Sequence, residues 1–356
     1  MIALIFVGDL KYCPYIKKYI QVLQRKNKDY MVYFWNRSGC ENSVLYNCKF
    51  YQRKSSLAKS KVAKLADFLF YAKWLNREIE RDKPEKIIFL STLSIMLMKP
   101  SLIRKYKGKY ILDIRDYSYE HKLFFRKQEQ KYIRNSFFCC ISSPGFKNFL
   151  IPDYNYQIVH NFDKTVVDGK YIFRKKEPDQ KLKVVWTGVM RYFEYQKNLI
   201  DSLGNDSRFE VHYYGNGPEL DKYQDYAAKY DNIFIHGLYD DNCKYTLIGD
   251  SDIINNCYGS PNKRLLEYAI SNKYYDGIIF RIPQIVESGN YKSRIVEKKG
   301  LGVAIDPNVP NFADILFNYY HSVNKEIFEE NCSRELAVIL LEDEQYEKNL
   351  ERFLNA

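Results

Sequence analysis

Lys273 and Asp276 lie three residues apart in the segment SNKYYDGIIFRIPQIVESG, residues 271 to 289, directly behind Ser271 and Asn272. Serine and asparagine are residue types that open helices, so the spacing predicts a helix whose first turns carry both charges on one face. Such a helix start turns free N–H groups and a positive dipole end toward an anion such as a diphosphate, and Lys273 adds a point charge to it. Asp276 would accept hydrogen bonds from a vicinal diol such as ribose. Pro283 and the run Gln284, Ile285, Val286 then read as a tight turn and a short strand.

Other residues able to do chemistry fall where predicted strands end. Leu182 to Thr187 is followed by Gly188, Arg191 and Lys197, and Phe209 to Tyr214 by Gly215 and Gly217. In the first half, Lys109 to Ile114 runs into DIRDYSYE, residues 113 to 120. Charged residues at the carboxyl end of a parallel strand sit where such sheets bind ligands, so Asp113, Arg115, Asp116 and Glu120 are candidates for substrate contact. Pairing of Arg115 with a neighbouring carboxylate is the structural alternative. Gly8, after strand 2 to 7, would let a ligand approach the backbone. His160 and Asn161 close a last strand of the first half, 158 to 161.

The string N-K-Y-Y-D-x6-P-x-I-V resembles the nucleotide-sugar motif of family 4 glycosyltransferases, of the GT-B class. Here the acid is Asp276 where glutamate is usual, Ile278 to Arg281 replaces a small-residue segment, and Tyr268 stands at the family's first glutamate, with Glu267 beside it. The stretch from Gly188 through Arg191 to Lys197 is similar to the family's G-R-x4-K loop, one residue longer. DIRDYSYE is similar to a D-[VI]-R-D-x-x-x-E segment of bacterial members that build surface polysaccharides.

The resemblance implies an α/β GT-B architecture of two Rossmann-like, doubly wound parallel-sheet domains facing a central cleft. It implies donor contacts by Gly188, Arg191, Lys197, Gly215, Gly217, Lys273 and Asp276, and catalytic roles for Asp116, Glu120 and Arg115. Gly8, Asp113, His160 and Asn161 would lie on the acceptor side or the cleft. A sugar would pass, with retention and without a metal or other cofactor, from a nucleotide sugar to an undecaprenyl-diphosphate-linked saccharide. A scaffolding protein of the same fold with degenerate chemistry is the alternative.

The elements that must position these residues alternate strand and helix through both halves, as in a doubly wound sheet. An acceptor domain is expected over residues 1 to 164, joined by a polar linker from 163 to 180 to a donor domain over 165 to 337. A closing helix from about 338 to 356 would pack back on the first domain. Residues 53 to 81 read as one long amphipathic helix with Lys54, Lys59, Lys61 and Lys64 crowding its start. Lysines there oppose the helix dipole, which points either to another demand such as anionic headgroups or to a solvated basic face.

Charge divides unevenly along the 356 residues. The first 164 carry 31 Lys and Arg against 14 Asp and Glu, a net of +17, while the remainder of the totals, 24 against 30, nets −6. A positive first half fits an anionic membrane surface or another polyanion. A nucleic-acid partner has only that charge in its favour, since no recognition helix or RNA motif accompanies it, and none is expected. Hydrophobic content of 46%, with 33 Tyr and 22 Phe, supports packed cores. No apolar run reaches the roughly 18 to 20 residues of a membrane span. MIALIFVGDL reads as a strand and not a leader, so a cytoplasmic protein resting on the membrane is expected. Eight cysteines show no metal-ligand spacing and read as reduced thiols.

Overall fold

The computed structural model describes residues 1–39, 46–55, 60–167, 169–240, 243–259 and 264–356. The chain forms two compact units, Met1–Val159 with Glu342–Ala356, and His160–Leu341. Each is a parallel sheet with helices on both faces, the doubly wound class expected.

The first unit holds β1 (Ile2–Phe6), β2 (Tyr30–Asn36), β3 (Cys48–Gln52), β4 (Lys86–Phe89), β5 (Tyr110–Ile114), β6 (Phe138–Ile141) and β7 (Gln157–Ile158). They pair all-parallel in the order β3-β2-β1-β4-β5-β6-β7. Central strands such as β1 and β5 are apolar runs because helices cover both of their faces. β3 escapes sequence reading: CKFYQ is a half-buried edge strand with no apolar run. β7 is shorter than the strand expected over 158 to 161.

The long helix begins later than expected, at Lys61, and runs to Asp82. Arg53 and Ser55 instead bond the carboxylate of Asp67 at 2.6 and 2.8 Å, and Ser60 caps the helix by accepting from the Ala63 N–H. Lys59 lies outside the described residues. The end of the C-terminal helix Lys325–Asn355 packs Tyr346, Leu350 and Phe353 against Ile16, Tyr19 and Leu23 of the helix Ile16–Arg25.

The second unit holds β8 (Leu182–Thr187), β9 (Phe209–Tyr214), β10 (Ile233–Gly237), β11 (Ile253–Asn255), β12 (Gln284–Val286) and β13 (Gly302–Ala304). Their order is β10-β9-β8-β11-β12-β13, again all-parallel. The segment expected to be a polar linker is strapped to this unit. Phe173 is buried in its core, the Phe173 N–H donates to Glu329 at 2.9 Å, and Tyr320 donates to the Arg174 carbonyl at 2.9 Å. One aromatic anchor outweighs the polar composition around it.

Candidate functional site

The loops at the carboxyl ends of β8, β9, β11 and β12 bring the second unit's charged residues together. After β8 and β9 the backbone runs so close that side chains are excluded. A β-carbon on Gly215 would lie 1.7 Å from the Gly188 carbonyl oxygen, and one on Gly217 would lie 2.3 Å from that of Met190. Gly188 and Gly215 also sit at φ +143° and +153°. These glycines are required by packing of the two loops on each other.

The helix Asn272–Phe280 begins beside them, with Ser271 at its N-cap and residues 273 to 280 all buried. Ser271 spends its hydroxyl on Asn256, so the opening N–H groups receive no side-chain cap. Lys273, 2% exposed, donates from Nζ to the Tyr258 hydroxyl at 2.6 Å. The ammonium stands 4.2 Å from the Trp186 ring centroid and 4.4 Å from that of Tyr258. Burial, and then the charge of Lys292, hold its pKa well below the usual lysine range.

Tyr258 is the centre of the cluster. Lys292 lies 4.8 Å from its ring, and the charges of Lys292 and Arg191 both act on its phenol. Lys292 is buried in the first turn of the helix Tyr291–Lys298, a position the helix dipole disfavours. It is held there by Glu287 at 2.9 Å and by the Asn256 carbonyl at 2.5 Å. Glu287 also accepts from the Tyr258 N–H at 2.8 Å and from Asn290 at 2.6 Å. Asp276 receives Lys244 on Oδ1 at 3.1 Å, while its Oδ2 is buried without a hydrogen-bond partner. Burial raises the Asp276 pKa, and Lys244 opposes the rise.

The sequence candidates are therefore partly united. Lys273, Asp276, Gly188, Gly215, Gly217 and Arg191 share one end of one sheet. Lys197 stands apart from that group: it sits in the second turn of the helix Phe193–Leu203, over the Tyr226 ring at 5.4 Å. Tyr258, Lys292, Glu287 and Lys244 went unread. A signal for Lys292 existed, a lysine in the first turn behind Asn290, whose carboxamide and Ser293 form a capping box.

A cavity of about 720 Å³ opens beside the cluster and shares Tyr258 and Glu287 with it. Glu194, Tyr195, Glu267 and Asp306 also line it. Glu267 is the neighbour of Tyr268, the residue at the resemblance's first-glutamate position.

In the first unit the candidates are built into the scaffold. Asp113 and Arg115 form a buried ion pair, Nε to Oδ1 at 2.7 Å. Arg115 also donates to the Val159 carbonyl at 2.9 Å and lies 4.1 Å over the Tyr15 ring, and Tyr19 donates to Asp113 at 2.7 Å. The pairing alternative describes Arg115, whose guanidinium is held by the Asp113 carboxylate and the Val159 carbonyl within the unit. Glu120 is buried too, accepting from the Ser118 N–H at 2.6 Å, and its carboxyl meets that of Glu129. Glu129, which also accepts from Thr92 at 3.0 Å, has its pKa pushed up to about 8 by burial and by Glu120. Asp116 is exposed. Gly8 ends β1 at φ +152°.

His160 and Asn161, expected on the acceptor side or in the cleft, belong to the second unit. His160 Nδ1 pairs with the Tyr275 hydroxyl at 3.0 Å, and Asn161 donates to Asn272 at 2.8 Å. Both brace the start of the helix Asn272–Phe280.

No protein-family model and no curated protein matches the chain. Solved structures do match. Anabaena HepE in complex with UDP and glucose is 11% identical, with a TM-score of 0.66 over 98% of this chain and 99% of that one. The lipopolysaccharide outer core galactosyltransferase WaaB is 16% identical, with a TM-score of 0.63 over 99% of both chains. Sucrose-phosphate synthase from Thermosynechococcus elongatus is 10% identical, with a TM-score of 0.66 over 98% of both. At these identities the likeness is one of fold, and the fold is the GT-B arrangement of two Rossmann-like domains.

Proposed function

We propose that the chain is a glycosyltransferase that moves a sugar from a nucleoside-diphosphate donor to a lipid-linked saccharide in surface polysaccharide assembly. The observation that carries this reading is the convergence of Lys273 and Lys292 on Tyr258, with Arg191 in the loop after β8 at the same end of the sheet. Three cations and an uncapped helix start are what a leaving diphosphate needs as its charge builds. Asp276, one turn into the same helix and with a free oxygen, suits a ribose diol. The carboxylate-lined cavity next to the cluster suits a sugar ring rich in hydroxyl donors.

In this reading the protein's own cations supply the charge a metal would, so transfer persists in EDTA. Asp116, the exposed one of the candidate carboxylates Asp113, Asp116 and Glu120, takes the acceptor's proton, and transfer proceeds with retention. The acceptor is undecaprenyl-diphosphate-linked, and the protein works on the cytoplasmic face of an anionic membrane. The positive first half supports that placement.

A thermal-shift series with nucleoside diphosphates and their sugars, without added metal, tests the donor site. A rise in Tm with one base series is expected, together with loss of both the shift and transfer in Lys273→Ala. Folded wild-type protein that responds to no nucleotide would defeat the reading. It would favour a second one, a binding or scaffolding protein of this fold. The internal pairing of Lys273 with Tyr258 and of Lys292 with Glu287 speaks for that alternative.

A further inference from the structure

The helix Lys61–Asp82 is apolar on two sides. Tyr71, Leu75, Glu78 and Ile79 face the sheet and are buried. On the opposite side the first three turns present Val62, Leu65 and Leu69, exposed by 79%, 61% and 61%, with Phe70 at their flank. These positions follow the i, i+3, i+7 spacing of one stripe. A solvated helix carries charge there, as this one does further along, at Lys73, Arg77 and Glu80.

A second apolar end stands on the same side of the unit. Leu123 and Phe124 open the helix Leu123–Asn135 and are exposed by 66% and 76%. The two helices follow β3 and β5 and lead to β4 and β6, steps in the same direction along the sheet order. Right-handed crossovers therefore place both helices on one face, and both begin at the sheet's carboxyl edge.

Within the two helix starts themselves, exposed charge has one sign. Lys54, Lys73, Lys122, Arg126 and Lys127 are exposed, and Arg53 lies over the Phe70 ring at 4.7 Å. The only acidic residues within 60–73 and 122–131 are Asp67 and Glu129, and both are buried. The first unit as a whole carries 32 basic against 18 acidic side chains, a net of +14. Apolar side chains that project past a ring of cations fit the interface of an anionic bilayer, where cations meet headgroups and the apolar groups pass below them.

We infer that Val62, Leu65 and Leu69, with Leu123 and Phe124, insert into the interface of an anionic phospholipid bilayer and seat the first unit on it. The inference rests on the membrane placement proposed above and adds to it the surface of contact. A surface closed by a second copy or by an acidic protein would leave vesicles unbound.

Sedimentation with vesicles of phosphatidylglycerol and phosphatidylcholine, against phosphatidylcholine alone, tests it. The wild-type protein pellets with the anionic vesicles, and added salt weakens this binding without abolishing it, because insertion is not screened. Val62→Ser/Leu65→Ser/Leu69→Ser and Leu123→Ser/Phe124→Ser each lower the partition on the order of tenfold. The replaced side chains are exposed, so the cores are untouched, and an unaltered circular dichroism spectrum checks this. Variants that pellet like the wild type overturn the inference. So does a wild type that ignores anionic vesicles, or a set of variants that only converts a dimer to monomer. A UDP-induced thermal shift read on the same samples reports on the donor site separately: its absence everywhere strikes the proposed function and leaves the vesicle result standing.

Discussion

Lys273 donates from Nζ to the hydroxyl of Tyr258 at 2.6 Å, in a pocket where its ammonium has almost no water. A lysine so placed favours its neutral form, since burial and the nearby Lys292 both penalise the charge. An arriving diphosphate reverses this balance. Nucleotide binding is therefore accompanied by proton uptake wherever Lys273 is neutral, and affinity rises as pH falls from the alkaline side. Calorimetry in buffers of different ionisation enthalpy measures the protons taken up. Lys273→Ala removes both uptake and binding; uptake unchanged in that variant would place the titrating group elsewhere.

Much of the second unit was legible because its strands are short apolar runs punctuated by glycine. β8 and β9 were read to the residue. What was not legible is what needs three dimensions. Lys292 lies 19 residues after Lys273 in a different helix, and only the pairing of β11 with β12 brings Asn256 and Glu287 close enough to hold it. Arg115 looked like a site residue by its place at a strand end. Its commitment to Asp113, Val159 and Tyr15 depends on the packing of the helix Ile16–Arg25, which no local pattern reveals.

Lys292 and Glu287 form a pair whose lysine is buried, so removing one partner costs more than removing both. Glu287→Gln leaves the lysine uncompensated and should destabilise the second unit by about 3 kcal/mol. Adding Lys292→Met should recover a large part of that loss. Chemical denaturation of the two single variants and the double variant closes the cycle. Additive effects would mean that the two groups do not rely on each other.

The carboxyl pair Glu120 and Glu129 gives the first unit a pH dependence of definite sign. Glu129 titrates near pH 8 in the folded protein and near 4.5 when unfolded, so the folded state holds the extra proton between those values. Stability from this group is fully present below about pH 4.5 and is lost as pH rises toward 8, at a limiting slope of about 1.4 kcal/mol per pH unit. Glu129→Gln keeps the neutral, hydrogen-bonding form at every pH and should flatten the profile. A Tm that falls equally with pH in wild type and variant would assign the slope to other groups.

Asp276 separates recognition of the nucleoside from recognition of its phosphates. Its Oδ1 is occupied by Lys244, whereas the buried Oδ2 has no partner, and a buried carboxylate oxygen without one is costly. A ribose diol would satisfy it, whereas inorganic pyrophosphate has no diol to place there. Asp276→Asn should therefore weaken UDP by about 10- to 100-fold, the value of a charge-assisted hydrogen bond of roughly 1.5–3 kcal/mol, and leave pyrophosphate nearly unaffected. A different pattern is expected of Lys273→Ala, which weakens both ligands alike. Titration calorimetry with the two ligands against the two variants distinguishes the roles. Equal losses for UDP and pyrophosphate in Asp276→Asn would mean that Asp276 serves only to position Lys244 and Lys273.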